Sequence, residues 1–137
     1  MAVYLEAANL DHRQSIFAGL AQYKLCQLYV NGKGVPQDYV QAKEWCRRSD
    51  VGFAYVVRGR MAEKGLGGDK DPREALEFYR KAAIVEFPDG YMNTARLLLE
   101  SAAHEDNKKA YFWYLIAAKR KYPIADAKLA EAAARLN

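Results

Sequence analysis

Apolar residues along this chain recur every three to four positions, and the recurrence itself repeats. Ala21, Leu25, Leu28 and Tyr29 mark one face of a helix. The pattern stops at Asn31-Gly32-Lys33-Gly34, because glycine accepts the left-handed conformation that ends helices. Asp38 then opens a second helix, its carboxylate placed to accept backbone N–H groups that have no helical partner. A second stop follows at Gly65-Leu66-Gly67-Gly68, and a second start at Asp71-Pro72-Arg73-Glu74, which combines a cap, a proline at the first helical position and Glu three residues after the cap. Asp38 with Gln41 makes a similar box, and Asp106 is expected to open the third such helix.

The register is explicit. Gly32, Ala42, Trp45, Cys46 and Ser49 return 33 residues later as Gly65, Ala75, Phe78, Tyr79 and Ala82. Ala75, Phe78, Tyr79, Ala82 and Ala83 return 35 residues later as Ala110, Trp113, Tyr114, Ala117 and Ala118. Each unit is a pair of helices, and the ends are half-units. Tyr4-Leu5-Glu6-Ala7-Ala8 matches the tail of a second helix, Tyr79-Arg80-Lys81-Ala82-Ala83, and Ile124 to Leu136 reads as a first helix. The expected organisation is one repeat domain over 1–137. It divides into an N-terminal half-unit (1–17), repeats at 18–53, 54–88 and 89–123, and a closing helix (124–137) whose Lys128, Glu131 and Arg135 could supply a polar outer face.

Composition agrees with an all-α fold. Ala, the best helix former, occurs 23 times, while Val, Ile and Thr together reach only 13, which argues against an all-β chain. With 51% apolar and 28% charged residues, a packed core is expected rather than disorder. No apolar run approaches the roughly 20 residues that span a bilayer, so no membrane insertion is expected. The first residues lack a basic stretch followed by an apolar one, so no secretory leader is expected, although the compartment stays open.

The first unit, with Ala21, Leu25, Leu28, Tyr29, Gly32, Gly34, Val35, Asp38, Ala42 and Trp45, resembles the Sel-one-like repeats, relatives of the tetratricopeptide repeats. Cys26 stands where that family has glycine. The second unit keeps Gly59, Gly65, Gly67, Asp71, Ala75, Tyr79, Ala82 and Ala83 but puts Arg58 in place of Leu. The third departs furthest, with Thr94 in the Leu place and Ser101-Ala102-Ala103-His104 in place of the glycine loop. The resemblance covers about residues 18–136 and implies a right-handed α/α superhelix of antiparallel pairs that binds other proteins, without catalysis or cofactors. Bacterial members resemble adaptors for signalling or envelope processes, and some serve as immunity proteins that block a cognate secreted toxin. Cysteine-rich members staple their helix pairs. A disulfide between Cys26 and Cys46 is therefore one reading if the protein is exported, and a buried small residue at Cys26 is the other.

Rival chemistry is thin. His12 and His104 sit in no metal-binding spacing, so no metal site is expected. His104-Glu105-Asp106 reads as a polar loop ending in a cap rather than an acid–base cluster, and a hydrolase, the competing class, would need a polar triad the repeats leave no place for. Gly65-Leu66-Gly67-Gly68-Asp69-Lys70 lacks a phosphate-loop pattern. Lys119-Arg120-Lys121 reads as cations at a helix C-terminus, and at a net charge of +4 no nucleic-acid partner is expected. Trp45, Phe78 and Trp113 read as core.

The resemblance places a partner protein in a groove lined by the first helices. Its positions here are Tyr23, Gln27 and Asn31; Val56, Arg60 and Lys64; and Met92, Arg96 and Glu100. Tyr23, Val56 and Met92 form an apolar row, and Gln27, Arg60 and Arg96 a polar, basic one, which suits hydrophobic residues next to carboxylates. The alanines from Ala125 to Ala134 exceed what one docking face needs, which points to weak self-association through the closing helix.

Overall fold

A computed structural model describes residues 1–9, 16–101 and 103–137; His12 and Ala102 lie outside them. It is all-helical over those residues: α1 (Ala2–Ala8), α2 (Ile16–Asn31), α3 (Tyr39–Arg48), α4 (Gly52–Lys64), α5 (Pro72–Ile84), α6 (Pro88–Glu100), α7 (His104–Lys119) and α8 (Ala125–Ala134). A lone helix, three pairs and a closing helix follow one another, as the register requires. Each helix packs on its neighbours in sequence, and α4 also touches α2 and α6. The first helices of the pairs therefore form the inner layer of the stack, and the second helices its outside.

Local chemistry sets the helix ends. α4 stops at Gly65, whose φ of 71° is a left-handed conformation that costs other residues 1–2 kcal/mol or so. The Asp38 carboxylate accepts from the Val40 and Gln41 amides at the start of α3, and Asp71 accepts from Arg73 and Glu74 at the start of α5. Neither cap uses a reciprocal bond from the residue three along. The Asp38 amide donates to the Tyr29 carbonyl and the Asp71 amide to the Ala62 carbonyl, so each N-cap is tied to the preceding helix instead. The third pair differs from the sequence expectation. α7 begins at His104 after Ala103, so Asp106 lies in its first turn and accepts from the Ser101 hydroxyl at 2.6 Å. His104-Glu105-Asp106 is thus helix, not loop, and its acidic residues face the positive end of the helix dipole.

One structural position joins the two helices of every pair, and it is filled in three ways. In the second pair, Gly59 lies under the Tyr79 ring so closely that an added Cβ would sit 2.6 Å from it. In the third, Ala95 and Tyr114 share a core cluster. In the first, Cys26 and Cys46 are disulfide-bonded with their Cα atoms 5.3 Å apart, and the Ser49 hydroxyl adds a buried bond to the Gly19 carbonyl. Of the two readings of Cys26, the structure holds the staple.

The residues that replace Leu behave differently from one another. Arg58 makes no hydrogen bond or ion pair among the described residues; its guanidinium lies over the Phe78 ring, 4.1 Å from the centroid, and covers it. Thr94 is fully buried and its hydroxyl has no hydrogen-bond partner. Of the aromatics expected in the core, Phe78 is buried, whereas Trp45 and Trp113 are only half-buried, with Arg48 over the Trp45 ring at 4.7 Å.

Candidate protein-binding face

The inner layer is built from three helices whose side chains meet across units. The register places Tyr23, Val56 and Met92 there, but the solenoid's own packing uses all three. Tyr23 is 8% exposed and Val56 4%, each within a core cluster, and Met92 is half-buried between two clusters. The apolar row expected to face a partner is therefore mostly turned into the joints between neighbouring pairs. Helical spacing alone specifies the direction of a side chain, not whether the next unit covers it.

The apolar surface lies one turn earlier. Phe53, near the start of α4, stacks on Tyr23 of α2 at 5.3 Å between centroids and meets Phe87, before α6, at 4.2 Å. These three rings link α2, α4 and the start of α6, and Phe53 keeps 48% of its surface exposed in the middle of them. Phe53 precedes Gly59 by six residues, as Leu20, also exposed, precedes Cys26. That shared apolar register, three residues before Tyr23 and Val56, is the signal in the chain for this surface.

The basic row divides in the same way. Arg96 is engaged. Its guanidinium grips both carboxylate oxygens of Glu63 at 2.7 and 2.8 Å, bonds Glu100 at 2.9 Å, and donates to Asn93. Glu63 also accepts from the Tyr79 hydroxyl at 2.7 Å. A two-pronged bond of this kind is among the stronger polar contacts a surface carries, and it ties α4, α5 and α6 together. The Arg96 bonds, helped by the Tyr79 hydroxyl, hold the Glu63 carboxyl below the usual glutamate range against the opposing effect of burial. Burial first, and then the bond to Glu63, push the Tyr79 hydroxyl well above a free phenol.

Arg60 is the contrasting case. It is exposed and pairs with no carboxylate among the described residues. Its charge falls on the Tyr23 hydroxyl, lowering a value that burial raises. Gln27 is half-buried beside Lys24, and Asn31, Lys64 and Glu100 are exposed. The inner layer thus offers an open aromatic ring, an unpaired guanidinium and a carboxylate–guanidinium network already satisfied internally. No group of three or more His, Cys, Asp or Glu side chains is placed to hold a metal ion among the described residues. No described helix is long and apolar enough to cross a membrane.

Comparison with known proteins bears on the family and the fold. The Sel1 repeat model matches residues 19–49, 54–84 and 89–122. A Sel1 repeat protein from Oxalobacter formigenes has the same architecture, with a TM-score of 0.79 at 25% identity over 95% of this chain and 96% of that one. A protective antigen present in uropathogenic Escherichia coli strains, described as displaying an SLR fold, aligns with a TM-score of 0.75 and 33% identity over 87% of this chain. The chain spans only 27% of that antigen's length. No curated protein sequence matches it.

Proposed function

The chain belongs to the Sel1 repeat family, whose members are generally protein–protein interaction modules, and from that premise we propose that its inner layer grips a segment of a partner protein. An apolar side chain of the partner seats on Phe53, and a neighbouring carboxylate meets Arg60. The observation that carries this reading is the half-exposed Phe53 ring, held by Tyr23 and Phe87, on the same helix as the exposed Arg60, which pairs with no carboxylate among the described residues. Arg96 contributes indirectly, by fixing α6 against α4 through Glu63.

Affinity capture with the chain as bait, followed by titration of the captured protein, tests this. Phe53→Ala is expected to weaken binding by about 1–3 kcal/mol. Arg60→Glu is expected to slow association and reduce its salt dependence. Lys81→Glu and Lys119→Glu, exposed on second helices, are expected to leave binding intact. If those two abolish it while the inner-face variants do not, the outer layer is the working surface. An adaptor and an immunity protein would use the same face. Co-expressing the captured partner with growth as readout separates them: a partner that kills alone and is silenced by this chain establishes the immunity role.

A further inference from the structure

The outer side of α7 is apolar where a solvent-facing helix ordinarily carries polar residues. Ala110, Tyr114 and Ala117 mark the side of α7 that is buried in the core. Phe112 and Ile116, four residues apart, point the opposite way and are 62% and 37% exposed. At the end of α5, Ile84 is 76% exposed, and Val85 follows it at 51%. Ile84 and the half-buried Trp113 line one recess of about 430 Å³ between the two helices. These side chains form an apolar patch on the outer layer that the solenoid's own packing leaves open.

Cations surround the patch. Arg80 and Lys81 line the same recess, Lys119 follows Ile116 by three residues, and Lys121 stands just past the end of α7. None of these four pairs with a carboxylate among the described residues. Glu77 also lines the recess, one carboxylate against two cations there. Lys109, before Phe112, is 4.0 Å from Asp106, and Arg120 is held by Glu86 at 3.0 Å. In the 35-residue register, Glu77 and Lys81 of α5 correspond to Phe112 and Ile116 of α7. Both stay exposed although α7 follows α5 in the outer layer, so a further helix pair after α8 would leave Phe112 and Ile116 open as well.

We infer that this outer face adsorbs to an anionic lipid surface, with Ile84, Phe112 and Ile116 entering the acyl boundary and Arg80, Lys81 and Lys119 meeting the headgroups. Large apolar side chains set between cations suit such an interface. Lysine and arginine stems lie along apolar neighbours while their charges stay at headgroup level. Val85, Phe112 and Ile116 stand outside the recess, where a broad surface reaches them and a peptide seated in the recess does not. The contact is peripheral, in keeping with described helices too short or too polar to cross a membrane. The inference concerns the outer layer and does not rest on the inner-face reading above.

Co-sedimentation of the full chain with lipid vesicles tests it. Binding to phosphatidylcholine vesicles holding about one third phosphatidylglycerol is expected to be about tenfold or more tighter than to phosphatidylcholine alone, and to weaken with added salt. Lys81→Glu together with Lys119→Glu is expected to weaken it about tenfold or more. Phe112→Ser and Ile84→Ser are each expected to weaken it about fivefold at unchanged charge, and both residues are exposed, so the fold is retained. Lys33→Glu with Lys70→Glu makes the same change in net charge in the α2–α3 and α4–α5 loops, and is expected to leave binding within about twofold. No binding to the anionic vesicles overturns the inference. An equal loss in the Lys33 and Lys70 variant also overturns it, because net charge and not this face would then hold the chain. Serine variants that bind as tightly as the unmodified chain overturn it too, since the apolar anchors would contribute nothing. Binding to soluble polyglutamate without binding to vesicles would assign the face to an acidic protein partner instead.

Discussion

The first and second helix pairs are joined at the same place by different means. Between α2 and α3 a covalent bond links Cys26 to Cys46; between α4 and α5 the Tyr79 ring lies on the bare backbone of Gly59. One repeat position can thus be filled by a cross-link or by shape alone. The cross-link constrains the unfolded chain, whereas the glycine–tyrosine contact stabilises only the folded one. The second joint recovers part of the difference through its surroundings, because the Tyr79 hydroxyl reaches Glu63 and through it Arg96, which ties α6 to the same point.

Removing the disulfide is expected to produce the largest effect. Replacing Cys26 and Cys46 by Ser should cost about 3 kcal/mol, from the loop entropy returned to the unfolded chain and the polar groups left in the core. A urea midpoint that stays where it was would show that the staple contributes nothing beyond packing. Gly59→Val attacks the other joint and should cost about 2 kcal/mol, because the new side chain must displace the Tyr79 ring. Unchanged thermal unfolding would mean that α4 and α5 can separate without penalty.

A transplant sharpens the comparison. Cys26→Gly together with Cys46→Tyr builds the second joint into the first pair and is expected to regain about 1 kcal/mol over the double serine variant. A transplant no more stable than the serine pair would show that the two joints are not interchangeable and that the first pair has closed around the shorter side chains. In the third pair, Thr94→Val replaces a buried hydroxyl that has no partner by a methyl group of the same shape, and a gain of about 1 kcal/mol is expected. A loss instead would reveal a bonded hydroxyl.

The smallest effect is a pH dependence. The folded-state pKa of Glu63 is lowered, so its stabilising contribution is complete above the ordinary glutamate range and is lost as pH falls through the lowered value. Glu63→Gln should lower stability most in the neutral region and least in strong acid, so that the fall of stability on the acid side becomes shallower. Identical acid limbs for the two proteins would show that the Glu63–Arg96 bond is equally strong in the unfolded chain.

Much of the architecture is local and was therefore legible. Glycine stops, aspartate caps and the 33- and 35-residue register depend on a residue's own backbone preferences and its neighbours within a turn or two, so they place helices and pairs from the chain alone. Even there α7 started two residues before the expected cap, since Ser101 satisfied Asp106 from the preceding helix. The sequence by itself also determined that Gly59, Cys26 and Ala95 occupy one position, and which residues lie on the inner helices. Only the tertiary structure decided which of those inner residues remain available. Tyr23 and Val56 are covered, Phe53 is left open, Arg96 is taken up by Glu63 from 33 residues earlier, and Arg60 pairs with no carboxylate among the described residues. Exposure and pairing depend on how far one unit is rotated against the next and on side chains that meet across that rotation, and no periodicity within a single helix carries that information.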